Sequence, residues 1–136
     1  MLTKILTSSQ VYGLLGFGGL YWATAALAIR SAPEALLGNE NRQIMSFTGI
    51  VPVTYGAIRL AEAVLSISSV ARLDSVVVMT AIATLLDGAA LMWFPQIYEN
   101  PELMKRNSPL AMLLSRRGAA FILWGVGAGL VLALLT

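Results

Sequence analysis

Apolar residues gather into four long runs, over about residues 11–29, 47–67, 76–94 and 118–135. A helix of roughly 18 to 21 residues, rising about 1.5 Å per residue, crosses the ~30 Å hydrocarbon core of a bilayer. In lipid the backbone must satisfy its own N–H and C=O groups, so runs of this kind form helices. The pattern predicts an all-α, polytopic membrane protein: a single membrane domain over residues 1–136, with four transmembrane helices in an antiparallel bundle.

The connections carry their own signals. RSAPEALLGNENRQ, after the first run, predicts a short amphipathic turn. Residues 68–75 make a tight connection that holds Arg72 and Asp74. PQIYENPELMKRNSPLAMLLSRR is the longest connection, and its last part predicts a short interfacial helix over residues 109–116, with Pro109 in the first turn. A continuous helix there, an early start to the fourth span, takes Arg116 and Arg117 close to the lipid.

Charge sets the expected orientation. Lys4 and Arg72 fall on one side, and Arg30, Arg42, Lys105, Arg106, Arg116 and Arg117 on the other. The positive-inside rule places the richer side in the cytoplasm, or the equivalent matrix or stroma, and both termini on the outer side. Trp93 and Phe94 fit an aromatic belt at the inner interface and Tyr12 at the outer one. Ala26-Leu27-Ala28 resembles a signal-peptidase site, but Tyr21 and Trp22 crowd it and further spans follow, which favours a retained first helix. The expected location is a bacterial inner membrane or an organelle membrane, with multiple passes.

Composition agrees with this setting. Hydrophobic residues make up 57% and charged residues 12%, with a mean hydropathy of +0.77; soluble domains carry about 25% charged residues. The net charge of +2 belongs to the loops, and no basic patch interleaved with aromatics marks a nucleic-acid surface. The chain has no Cys and no His, which removes thiol chemistry, imidazole bases and the usual zinc sites, and leaves no metal set. No cofactor is specified. Any catalysis rests on carboxylates, Arg, Tyr, Lys or a borrowed cofactor.

GAIRLAEAVLS places Arg59 and Glu62 inside the second span. Pro52, Tyr55, Arg59, Glu62 and Ser66 recur at steps of three and four and form a polar stripe, while Val53, Ala57, Leu60, Val64 and Ile67 lie opposite. Asp87 lies mid-way along the third span with Thr80, Thr84 and Leu91 near its face and Ala83 and Ala90 beside it. Counted from the outer end, Arg59 is about 12 Å deep, Glu62 about 8 Å and Asp87 about 17 Å. Spans two and three, joined by a tight connection, are expected as neighbours, which predicts a Glu62–Arg59–Asp87 triad. Pairing in such a triad relieves the insertion cost of roughly 2.5 to 3.5 kcal/mol for a lone charge. Arg59, Glu62, Asp87 and Tyr55 are therefore the candidate ligand-binding residues, and Glu62, Asp87 and Arg59 the candidate catalytic ones. A purely structural lock between helices uses the same residues.

Small residues predict close helix packing: Gly13, Gly16, Gly19 and Ala23 in the first span, and a Gly125–Gly129 pair with Gly118 and Gly127 in the fourth. GFGG follows no strand and is not a phosphate loop. Pro52 frees a carbonyl for Tyr55 or a neighbouring helix. Trp124, mid-span, is suited to packing or to flanking a ring.

In size, span number and a buried Glu the chain resembles the small multidrug transporters, dimers of four-helix subunits. Their essential Glu lies in the first span, which here has no acid, so their mechanism does not carry over. NRQIMSFTGI, with Ile58 and Arg59 after it, is similar to the sterol-biosynthesis scaffold family of small four-span proteins, a resemblance that implies a scaffold role. The sequence thus favours an accessory or scaffold subunit that meets other membrane subunits and lipids. The alternatives are a membrane-embedded enzyme or binding protein for a lipid or apolar small molecule, or a proton-coupled homodimeric transporter.

Overall fold

The computed structural model describes residues 5–136, so Lys4 lies outside the described residues. The elements are α1 (Ser8–Ser31), α2 (Pro33–Leu37), α3 (Glu40–Val64), α4 (Arg72–Trp93), α5 (Pro101–Arg106) and α6 (Ser108–Leu135), with 3-10 turns at Ser69–Ala71 and Pro95–Tyr98. α1, α3, α4 with its preceding turn, and α6 are each long and apolar enough to cross a bilayer. The chain is an integral, multi-pass membrane protein with an all-helical fold.

Helices start earlier than the apolar runs because caps, not hydropathy, decide where a helix begins. Thr7 and Gln10 form a reciprocal capping box at the start of α1. Asn39 accepts from the Arg42 N–H, so α3 begins at Glu40, well before its apolar run. Asn107 does the same for α6, accepting from Leu110 N. The expected separate helix over residues 109–116 is instead the opening of α6, which runs unbroken through Arg116 and Arg117. Pro109 sits in the first turn, where its missing N–H costs nothing, and no later residue interrupts the ladder. Leu114 holds this segment down by burying itself with Leu37, Leu103 and Ala111.

We call the end of the bundle that carries the α3–α4 turn proximal and the end that carries α2 and α5 distal. The long distal connections are folded into a cap. Arg30 Nη1 donates to Gln96 O at 2.7 Å, Asn100 Nδ2 to Arg30 O at 2.8 Å, and Arg106 pairs with Glu34. Trp93, Phe94 and Tyr12 are exposed.

The helix arrangement departs from expectation in one respect that matters. α1 lies along α4, α4 along α6 and α6 along α3, while α3 and α4 touch little despite their short connection. Glycines decide these pairings. A Cβ on Gly18 of α1 meets the Met79 carbonyl oxygen of α4 at 2.4 Å, so that seam needs a glycine. Gly125 and Gly129 of α6 face Ile50 and Thr54 of α3, and Gly118 abuts Ile29. The Gly125–Gly129 pair therefore packs within the chain. Gly16 and Gly127 face open space.

α3 stays helical through Pro52. Pro52 cannot bond to Thr48 O, and one residue earlier the Trp124 indole N–H of α6 donates to Phe47 O at 2.9 Å. Trp124 also packs against the Phe47 ring, with centroids 5.7 Å apart.

Candidate functional site

The charged residues separate into two groups at opposite ends of the bundle. At the proximal end Glu62 takes a bidentate contact from Arg72, with Nε to Oε1 at 2.5 Å and Nη2 to Oε2 at 3.2 Å. Both side chains are buried, at 8% and 7% exposure. Arg59 adds a looser contact to Oε2 at 3.4 Å and remains 55% exposed. Only Glu62 of the predicted polar stripe is buried. The inward face of α3 is Thr54, Ile58, Ala61 and Glu62, and Tyr55 and Arg59 lie on its flank.

The ion pair opposes both helix dipoles. Glu62 lies near the C-terminus of α3 and Arg72 opens α4, and each end disfavours the charge it holds. Mutual pairing, not the dipoles, holds them. The turn between is fixed from two sides: Ile67 N bonds to Glu62 O at 2.9 Å around Ser66 in the left-handed region (φ 51°), and Gln10 Nε2 of α1 donates to Leu65 O and Ser66 O. This closes α3 and positions Glu62 opposite Arg72.

Asp87 is not part of this group, and the predicted triad does not form. It follows the start of α4 by fifteen residues, about 22 Å along the axis, whereas Glu62 lies beside the turn. Asp87 is buried, and Tyr98 from the turn after α4 donates to its Oδ1. Trp22 of α1 donates to Tyr98 Oη at 3.2 Å and, more weakly, lies 3.4 Å from Asp87 Oδ1. Burial and the bond to Asp87 hold the Tyr98 phenol above the ordinary tyrosine range, so it remains a donor through neutral pH. Among the described residues no cation pairs with Asp87 and no group donates to Oδ2, which is not sealed from the surface. Asp87 thus has one side-chain oxygen engaged and, among the described residues, one without a donor.

Between these groups runs an apolar crevice. A cavity of about 50 Å³ is lined by Phe17, Gly18 and Tyr21 of α1, by Thr54 and Ile58 of α3, and by residues of α4 and α6. A second, of about 20 Å³, shares Tyr21, Ala83, Gly125 and Val126 with it and reaches Trp22. Trp22 thus borders the second cavity and contacts Asp87, which itself lines neither cavity. The crevice lies beside the α1–α3 seam, where the helices touch little and the Tyr21 and Thr54 hydroxyls meet at 2.7 Å.

Three residues of this arrangement were not singled out from the sequence. Arg72 reads as loop charge, yet Glu62 and Arg72 stand equidistant from Ile67 at the middle of the turn, and hairpin register alone brings such residues face to face. Trp22 and Tyr98 have no comparable signal, since Tyr98 reaches Asp87 only after Pro95–Tyr98 folds back. The chain matches no known protein-family model, and no characterised protein or solved structure is detectably similar to it.

Proposed function

We propose that this is a membrane-embedded binding protein for a small apolar molecule that carries a hydrogen-bond-donating or cationic group. The observation that supports this reading is the apolar crevice among the four long helices, which reaches Trp22, a residue in contact with the buried and cation-free Asp87. An acid that lacks a cation in apolar surroundings gains from a donor on the ligand. The cavities are smaller than the roughly 300–1,000 Å³ of common ligand pockets, so binding includes parting of the α1–α3 seam at Tyr21–Thr54. Glu62 is engaged by two arginines and serves as a structural lock in this reading, which also leaves a proton-coupled transport role without a free carboxylate at that position.

The test is purification from native membrane in mild detergent, followed by mass spectrometry of the extracted small molecules. A stoichiometric apolar compound is expected, with retention about tenfold lower in Asp87→Asn, as for the loss of one charged hydrogen bond. Gly125→Ala places a methyl at the junction of the two cavities, 3.5 Å from Ile50 Cγ1, and lowers retention without disturbing the helices. Equal retention in wild type and both variants rejects the site.

A second reading, as accessory subunit of a larger complex, draws on the distal cap. Its cross-links present an exposed, mixed-charge groove between α2 and α5, with Glu34, Glu102, Lys105 and Arg106 along it. Co-purification of a fixed set of membrane proteins, lost on charge reversal at Lys105 and Glu102, favours that role.

A further inference from the structure

On the lipid-facing side, away from the crevice, α3 and α6 enclose an open groove of about 680 Å³ whose walls include Phe47, Val51, Leu123, Trp124, Gly127 and Val131. The groove offers almost no polar surface, because the indole N–H of Trp124 is already spent on Phe47 O. Gly127 keeps it open: a Cβ built there meets nothing within 4 Å. Phe47, Val51, Tyr55 and Arg59 follow one another at steps of four along α3, a ridge that turns about 40° per step, so beyond Val51 it leaves the groove and reaches Arg59 about 18 Å along the helix from Phe47 and roughly a third of a turn round it. Trp124, against Phe47, lies toward the distal end of the groove.

Charge within the Arg59–Glu62–Arg72 cluster is unbalanced. Glu62 already gives both oxygens to Arg72, and Arg59 shares only one of them. The three side chains carry one negative and two positive charges. Asp74, in the first turn of α4, brings the formal charge of the described residues at this end to zero, but it makes no ion pair with Arg59. Arg59 lies five residues before the end of α3, about 8 Å from it, with its Nε drawn toward Glu62 and half of its surface exposed. A guanidinium at that depth, with its nearest carboxylate already claimed, attracts an anion from the membrane.

We propose that the α3–α6 groove and Arg59 together form a site for an anionic phospholipid: one acyl chain in the groove, its phosphate on the Arg59 guanidinium. The charge complementarity selects this occupant over a second copy of the chain, whose facing surface is equally apolar and brings another positive Arg59. The site is separate from the crevice, takes a ligand of opposite polarity at its head, and does not rest on the Asp87 reading.

Native mass spectrometry of the detergent-purified protein, titrated with phosphatidylglycerol or phosphatidylcholine of identical acyl chains, tests this. One phosphatidylglycerol is expected to remain bound, with about tenfold weaker retention in Arg59→Gln, the fold-change for one charge-assisted contact, and partial retention in Arg59→Lys. Gly127→Phe fills the groove and abolishes retention. Both substitutions lie at exposed or open positions, and an unchanged thermal unfolding profile confirms that folding is intact. Equal retention of the two lipids, or full retention in Arg59→Gln, overturns the phosphate contact. Displacement of the bound species by inorganic phosphate alone overturns the acyl-chain part. A dimer that excludes lipid and dissociates in Gly127→Phe assigns the groove to a second copy instead.

Discussion

Arg72→Met is expected to lower stability by about 3 kcal/mol, the low end of the roughly 3–5 kcal/mol cost of stranding one partner of a buried ion pair. Glu62 keeps only the 3.4 Å contact from Arg59 in this variant, and Arg59 can tighten that contact only by giving up its exposed position. The double variant Glu62→Leu with Arg72→Met removes both charges and is expected to recover most of the loss, because two desolvated groups are replaced by apolar ones of similar size. Chemical or thermal unfolding in detergent measures both. A single variant as stable as wild type shows that the pair holds nothing together. A double variant no better than the single shows that the turn depends on the arginine through something other than its charge. Arg59→Met offers the internal comparison: Arg59 is half exposed and its contact is long, so its loss is expected to cost well under 1 kcal/mol, in the range of surface ion pairs.

The second large effect is steric. Gly18→Ala places a methyl 2.4 Å from the Met79 carbonyl oxygen and 2.8 Å from the Met79 Cα. Those are backbone atoms of a helix, so the strain is relieved only by moving α1 away from α4 along its best-packed seam. The expected loss is about 1–3 kcal/mol, the usual range for overpacking. Two neighbouring glycines calibrate it. Gly13→Ala meets only the tip of the Leu65 side chain, at 2.6 Å, and a rotamer change absorbs most of the contact. Gly16→Ala meets nothing and is expected to be neutral or slightly stabilising, since Ala is the better helix former. Unfolding of the three variants in parallel is decisive. Equal stability across the series rules out the close approach of α1 and α4 at Gly18.

The ion pair fixes how α4 leaves α3, and the glycine fixes which helix α4 then lies against. Together they explain why Asp87 is kept from Arg59. α4 turns its Asp87 face toward Trp22 of α1 and the Tyr98 turn, and α6 occupies the flank of α3 that α4 was expected to take.

Much of the candidate site was legible as residue type and not as partnership. Glu62 and Asp87 stand out in the sequence because an acid in an apolar helix has few reasons to be there. Their partners do not stand out. Arg72 adjoins a turn, where cations are ordinary, and its role comes from register about Ile67. Tyr98 lies in a Pro- and Asn-rich connection that reads as loop, and its hydroxyl reaches Asp87 only because Pro95–Tyr98 doubles back over the end of α4. Trp22 resembles any aromatic near an interface until α1 is docked on α4.

What the sequence determined by itself is what local chemistry controls. Apolar run length sets the number of spanning helices, since lipid accepts no other backbone arrangement, and the Thr7, Asn39 and Asn107 caps set where three of them begin. What only the tertiary structure decided is which faces meet. Helices in lipid have no hydrophobic drive to tell one apolar face from another, so the choice falls to close backbone approach at Gly18, to side-chain packing such as that of Thr54 against Gly129, and to a few buried polar contacts. Those depend on atoms from distant parts of the chain. A single run of residues cannot show that Glu62 belongs with Arg72, or that Asp87 belongs with Tyr98.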